Sequence, residues 1–137
     1  MDLNSITYSY SNTNTFTNTT VGRSDPFSGC GATNGKTYKF YVMLQPGQSL
    51  TIAQTSNTFD SKHSSFWSTS SNPRSFPPNS YHCTDDPDTQ TMTMTNSQSS
   101  PRKVWYVVNG YSNSKGCGTF TLAWKFGAHL TSLLRDP

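Results

Sequence analysis

Residues 102–110, Arg102-Lys103-Val104-Trp105-Tyr106-Val107-Val108-Asn109-Gly110, and residues 119–126, Thr119-Phe120-Thr121-Leu122-Ala123-Trp124-Lys125-Phe126, decide the fold class. In the first, Val104, Tyr106 and Val108 alternate with Trp105 and Val107; in the second, Phe120, Leu122, Trp124 and Phe126 alternate with Thr119, Thr121, Ala123 and Lys125. A period of two sends successive side chains to opposite faces of an extended chain, so each segment is a strand with one face in a core. Outward from this pair, the same period recurs where Tyr38, Phe40, Val42 and Leu44 oppose Lys39, Tyr41 and Met43, then at Leu50 and Ile52, and again at Met92 and Met94 among threonines. Gln45-Pro46-Gly47-Gln48 sets Pro and Gly at the central positions of a type II turn, which predicts a hairpin or near-hairpin between its flanking strands. Weaker strands are expected at Ile6, Tyr8 and Tyr10, around Phe16, and at Phe66-Trp67. Prolines 73, 77 and 78 make residues 70–81 a long loop.

Composition agrees. Ser, Thr and Asn fill 52 of 137 positions and Glu is absent. Ser, Thr, Asn and Asp compete with helical backbone hydrogen bonds, which disfavours a helical bundle, and without Glu no Glu-based acid catalysis is available. The length suits one domain, residues 1–126, followed by a tail, residues 127–137, in which Leu130, Leu133 and Leu134 form a packing or assembly arm. About eight short strands without intervening helices predict two packed antiparallel sheets, a jelly-roll-like β-sandwich. Its inward residues would be Tyr38, Phe40, Val42, Leu50, Ile52, Met92, Met94, Val104, Tyr106, Val108, Phe120, Leu122 and Trp124. The net charge of +3 is scattered, and Arg102-Lys103 is the only adjacent basic pair, so no nucleic-acid patch is visible. No apolar run is long enough to span a bilayer. Met1-Asp2-Leu3-Asn4 lacks the regions of a signal peptide, and the expectation is a segment of a longer precursor.

Several constellations carry chemistry. Asp85-Asp86-Pro87-Asp88 is the one dense charge cluster, and with Asp60 it forms a candidate calcium site, since hard cations take several oxygen ligands; the same aspartates also suit Asx-turns. Of three cysteines, Cys30 and Cys117 lie in Gly-rich loops beside strong strands and form the preferred disulfide, leaving Cys83 free or intermolecular; Cys30 with Cys83 is the next pairing. A Cys₃His zinc site with His82 lacks the usual paired spacing. His63, His82 and His129 sit among polar residues, where a solvated side chain is expected. No Gly-x-Ser-x-Gly elbow appears. If Tyr106 points inward, Trp105 and Val107 point outward, as do Tyr41 and Met43, and together they make an apolar binding surface unless the chain's own termini cover it. Phe66, Trp67, Phe76 and Tyr81 form a second aromatic set. Thr91, Thr93 and Thr95 form an outward row, and Asn18-Thr19-Thr20 is a glycosylation acceptor sequence.

The order of motifs resembles the bacterial pre-peptidase C-terminal domain. The matching pieces are Thr20-Val21-Gly22-Arg23-Ser24-Asp25, Tyr38-Lys39-Phe40, Pro46-Gly47-Gln48-Ser49-Leu50-Thr51-Ile52, Phe59-Asp60-Ser61, Cys83-Thr84-Asp85-Asp86, Val107-Val108-Asn109-Gly110-Tyr111 and Gly118-Thr119-Phe120-Thr121-Leu122. The resemblance implies a secreted β-sandwich, non-catalytic, sometimes calcium-stabilised, that binds an extracellular protein or polysaccharide. It also implies that Asn109-Gly110 ends a strand instead of forming a hairpin turn. The alternative expectation is an extracellular structural subunit that assembles with copies of itself into filaments or a surface layer.

Overall fold

The period-two segments become the strands of a computed structural model that describes residues 1–3, 14–21, 23, 27–30, 36–75, 81–110 and 116–127. The strands are β1 (Asn14–Thr19), β2 (Thr37–Leu44), β3 (Ser49–Asn57), β4 (Ser61–Trp67), β5 (Tyr81–Thr84), β6 (Met92–Thr95), β7 (Arg102–Gly110) and β8 (Thr119–Gly127). They form two four-stranded antiparallel sheets, ordered β1-β8-β3-β6 and β2-β7-β4-β5. The pairs β1 with β8, β2 with β7, β3 with β6 and β4 with β5 are nested, first with last and inward. A ribbon paired in this way and rolled so that β3 also meets β8 and β4 also meets β7 is a jelly roll. The expected strands around Ile6 to Tyr10, and the tail with Leu130, Leu133 and Leu134, lie outside the described residues, as do Phe76 and His129.

All thirteen residues expected to face inward lie in one core between the sheets, joined by Leu3, Leu44 and Phe126. Tyr38 stacks on Phe40 at 4.8 Å, and Phe120 meets both rings edge-on at 5.5 and 6.1 Å. Burying an aliphatic or Phe side chain of this kind contributes about 1.5–3 kcal/mol, so the core is the main source of stability. Outside, the β1-β8-β3-β6 sheet carries hydroxyls that pair across strands: Thr17 with Thr121 at 2.8 Å, Ser49 with Thr95 at 3.1 Å and Thr51 with Thr93 at 3.3 Å.

One turn behaves differently from its sequence expectation. Gly47 has φ 77° and the Gln48 amide donates to the Gln45 carbonyl at 3.0 Å, as a type II turn requires. However, β2 and β3 belong to different sheets, so this turn is a corner between layers and not a hairpin. Both strands bring strong apolar faces to the core, and facing sheets bury both faces more completely than a single sheet would. Asn109 and Gly110 do end β7, and a Cβ on Gly110 would collide with the backbone of Gly116.

Candidate functional site

The four apolar residues expected on the surface do not form an exposed stripe. Trp105 and Val107 are 3% and 0% exposed, Tyr41 is half-buried, and only Met43, at 41%, reaches solvent freely. The reason is a second, smaller core on the outer face of the β2-β7-β4-β5 sheet, where Phe27 packs with Phe66, Trp105, Val107 and the edge of Tyr41. Phe27 stacks on Phe66 at 5.5 Å, and the Asn109 amide holds the Phe27 carbonyl at 2.9 Å. Residues 1–3 pair along the edge of β2, where the terminal amine donates to the Lys39 carbonyl and the Tyr41 amide to the Met1 carbonyl, and Leu3 packs into the main core. The cover is thus the segment around Phe27, which no periodicity announces.

Where this cover stops, a groove of about 680 Å³ opens, lined by Met43, Trp67, Ser68, Thr69, Gln98, Pro101, Arg102 and Lys103. Strand register places it: Leu44 pairs with Arg102, Met43 with Lys103, and Trp67 with Val104, so the end of β2, the end of β4 and the start of β7 meet there. Trp67 is partly buried against the main core, and the Arg102 guanidinium lies 4.1 Å from its ring centre. The Lys103 ammonium lies 5.0 Å from the Tyr41 ring and donates to the Ser70 carbonyl at 3.4 Å. Asn96 fixes the opposite rim. It is fully buried, and its side-chain amide donates to the Leu44 and Ser100 carbonyls while its oxygen accepts the Gln98 amide. Trp67 was legible as one of the aromatic set; the joining of Met43, Trp67 and Arg102 was not, because it depends on strand pairing across the chain.

At the other end of β4 and β7, one carboxylate oxygen each from Asp60, Asp85 and Asp88 converge within 4.8 Å of one another, while Asp86 is not part of the group. Asp60 and Asp85 are exposed and Asp88 is half-buried. Asp88 accepts from the Asn57 side chain at 2.6 Å and the Ser61 amide at 3.4 Å, and Lys62 stands 3.8 Å from Asp85. Three carboxylates supply part of the six to eight oxygens a calcium ion takes, and water can supply the remainder. The residues therefore fit such an ion.

Two cysteine and histidine expectations are corrected. The disulfide joins Cys30 to Cys83, with Cα atoms 5.6 Å apart, and Cys117 is free and exposed. Cys83 sits on β5 beside β4, next to the segment that carries Phe27, whereas Cys117 precedes β8 in the other sheet. His63 is not solvated. It is fully buried on β4, stacked 5.9 Å from Tyr106, with Ser61 Oγ 3.0 Å from Nε2 and Thr84 Oγ1 3.2 Å from Nδ1. Burial lowers its pKa to about 4 against a smaller opposing pull from Asp88. Burial also pushes the Tyr106 hydroxyl pKa up, and Asp88 adds to this. Ser61, His63 and Asp88 superficially suggest a hydrolytic set, but Ser61 and His63 are both 0% exposed and Asp88 bonds the serine's amide instead of orienting the imidazole. Comparison with family models, with curated proteins and with solved structures finds no match in any of the three. Among the described residues no helix is long and apolar enough to cross a membrane.

Proposed function

We propose that this chain is a secreted, non-catalytic binding module that holds an extracellular polysaccharide or protein in the groove between Met43, Trp67 and Arg102. The groove carries the reading: it falls within the usual volume range of ligand sites, and it places an aromatic ring and an exposed thioether beside donors on a rigid strand end. The disulfide supports an oxidising compartment, and the motif order resembling the pre-peptidase C-terminal domain supports the same role. The sealed Ser61–His63 pair supports binding in place of catalysis, since no substrate reaches it. Retention of the chain on collagen, chitin, cellulose and sulfated dextran beads tests the reading. We expect retention on at least one polymer and at least a tenfold loss in Trp67→Ala and in the surface change Met43→Ser; no retention on any of them overturns it.

Calcium at Asp60, Asp85 and Asp88 is proposed as the stabiliser of the opposite end, tying the β3–β4 turn to the β5–β6 connection. Bound at ten times its dissociation constant, it would add about 1.4 kcal/mol. A rise in melting temperature with calcium, reversed by chelator, lost in Asp60→Asn and kept in Asp86→Asn, is the expected result. An unchanged melting temperature removes the ion from the proposal.

The exposed, unpaired Cys117 favours a second reading, a self-assembling structural subunit joined through that thiol. Size-exclusion chromatography with and without reductant, followed by negative-stain microscopy, separates the two: filaments or reductant-sensitive oligomers support assembly, and a monomer at high concentration opposes it.

A further inference from the structure

We infer that the groove takes an acidic polysaccharide, whose carboxylate or sulfate groups are held by Arg102 and Lys103. The inference rests on the groove being the ligand site. Both charged residues of its lining are cations, and no carboxylate is among the lining residues. The ion pair of Lys62 with Asp85 lies at the far end of β4. Arg102 and Lys103 are the only adjacent basic pair in the chain, and the fold delivers that pair to the mouth of the groove.

Their geometry favours a repeating polyanion over a single small anion. Successive strand residues point to opposite faces, so the two cations straddle the strand end and do not converge on one group. Arg102 keeps its guanidinium over the Trp67 ring, where the planar fork is held for a bidentate anion. Lys103 has three N–H groups, donates to the Ser70 carbonyl at 3.4 Å and lies over the Tyr41 and Trp105 rings at the groove mouth. Ser68, Thr69 and Gln98 add neutral hydrogen-bonding groups suited to sugar hydroxyls, and Met43 adds an apolar floor. Two cations are few for nucleic acid, whose binding draws most of its affinity from neutralising many phosphates at once.

The test compares the full chain on beads of dextran sulfate, alginate, neutral dextran, chitin, cellulose, collagen and single-stranded oligonucleotide, with Trp67→Ala and two double variants of equal charge loss. Arg102→Gln with Lys103→Gln removes the groove cations; Lys36→Gln with Lys125→Gln removes exposed cations elsewhere. We expect retention on the two acidic polysaccharides, little on dextran, at least a tenfold loss in the groove double variant and a change under twofold in the control, with matching melting temperatures. Equal loss in both doubles means a general charge effect and overturns the inference, as does equal retention on dextran or stronger retention on the oligonucleotide. Retention on neutral polymer or collagen that Trp67→Ala abolishes overturns the acidic specificity while leaving the groove as the site. No retention on any bead overturns both.

Discussion

His63 shows how one residue links burial to pH. Its ring is fully enclosed and its pKa is lowered to about 4, so the folded chain keeps it neutral through most of the acidic range. An unfolded chain takes up that proton below about 6.5, and stability present above that value is lost as the pH falls from about 6.5 to about 4. The loss amounts to roughly 3 kcal/mol. Urea unfolding at neutral pH and at the lower end of this window measures it, and His63→Phe is expected to flatten the slope while lowering stability at neutral pH, because Ser61 and Thr84 lose a partner. Gly110 is a second decisive position. An alanine there meets the Gly116 backbone, and Gly110→Ala is expected to cost about 2 kcal/mol or more in chemical denaturation. His63 did not stand out by type: it lies in the polar run Ser61-Lys62-His63-Ser64-Ser65, whose buried polar face, where His63 bonds Ser61 and Thr84, is not registered by hydrophobic periodicity.

At the scale of elements, the short strand β5 is held by its pairing to β4 and by the bond from Cys83 to Cys30, which spans 53 residues. Closing a loop of that length removes unfolded-state entropy worth about 4 kcal/mol. The double change Cys30→Ser, Cys83→Ser is therefore expected to lower the melting temperature sharply, whereas Cys117→Ser leaves it within a degree or so and abolishes the single thiol that a thiol-modifying reagent labels in the native chain. The free edges of the sheets are managed in different ways. Strands β5 and β6 have four residues each, and β2 is partly covered by residues 1–3. Short or covered edges limit strand addition, so assembly through Cys117 and assembly through an edge are separable in experiment. Strands β2, β7 and β8 were legible because their alternation is strong and each buries one side. Strand β5 was not, since Tyr81-His82-Cys83-Thr84 has no such pattern and forms only because β4 offers a partner.

For the molecule as a whole, the outer core around Trp105 is built on β2, β4 and β7, which also wall the main core. The two cores therefore share strands and are expected to unfold together: tryptophan fluorescence and far-ultraviolet circular dichroism should report one coincident transition. Separate transitions would show that the outer cover melts alone. The nested pairing also joins residues far apart in the chain, and folding on the millisecond-to-second scale of sandwich topologies is expected in stopped-flow refolding. By itself the sequence determined the class, because alternation dictates strands, two-sided alternation dictates packed sheets, and the Glu-free Ser, Thr and Asn background leaves helices little to form from. It also identified thirteen of the main core residues, though not Leu3, Leu44 or Phe126, and it marked the acidic loop. Only the tertiary structure decided which cysteines meet, that Trp105 and Val107 are covered, that Asp60 joins Asp85 and Asp88 without Asp86, and that Arg102 comes to rest beside Trp67 and Met43. Those outcomes depend on which strands pair across the ribbon and on how loops settle over a sheet face, and a local hydrophobic period carries no information about either.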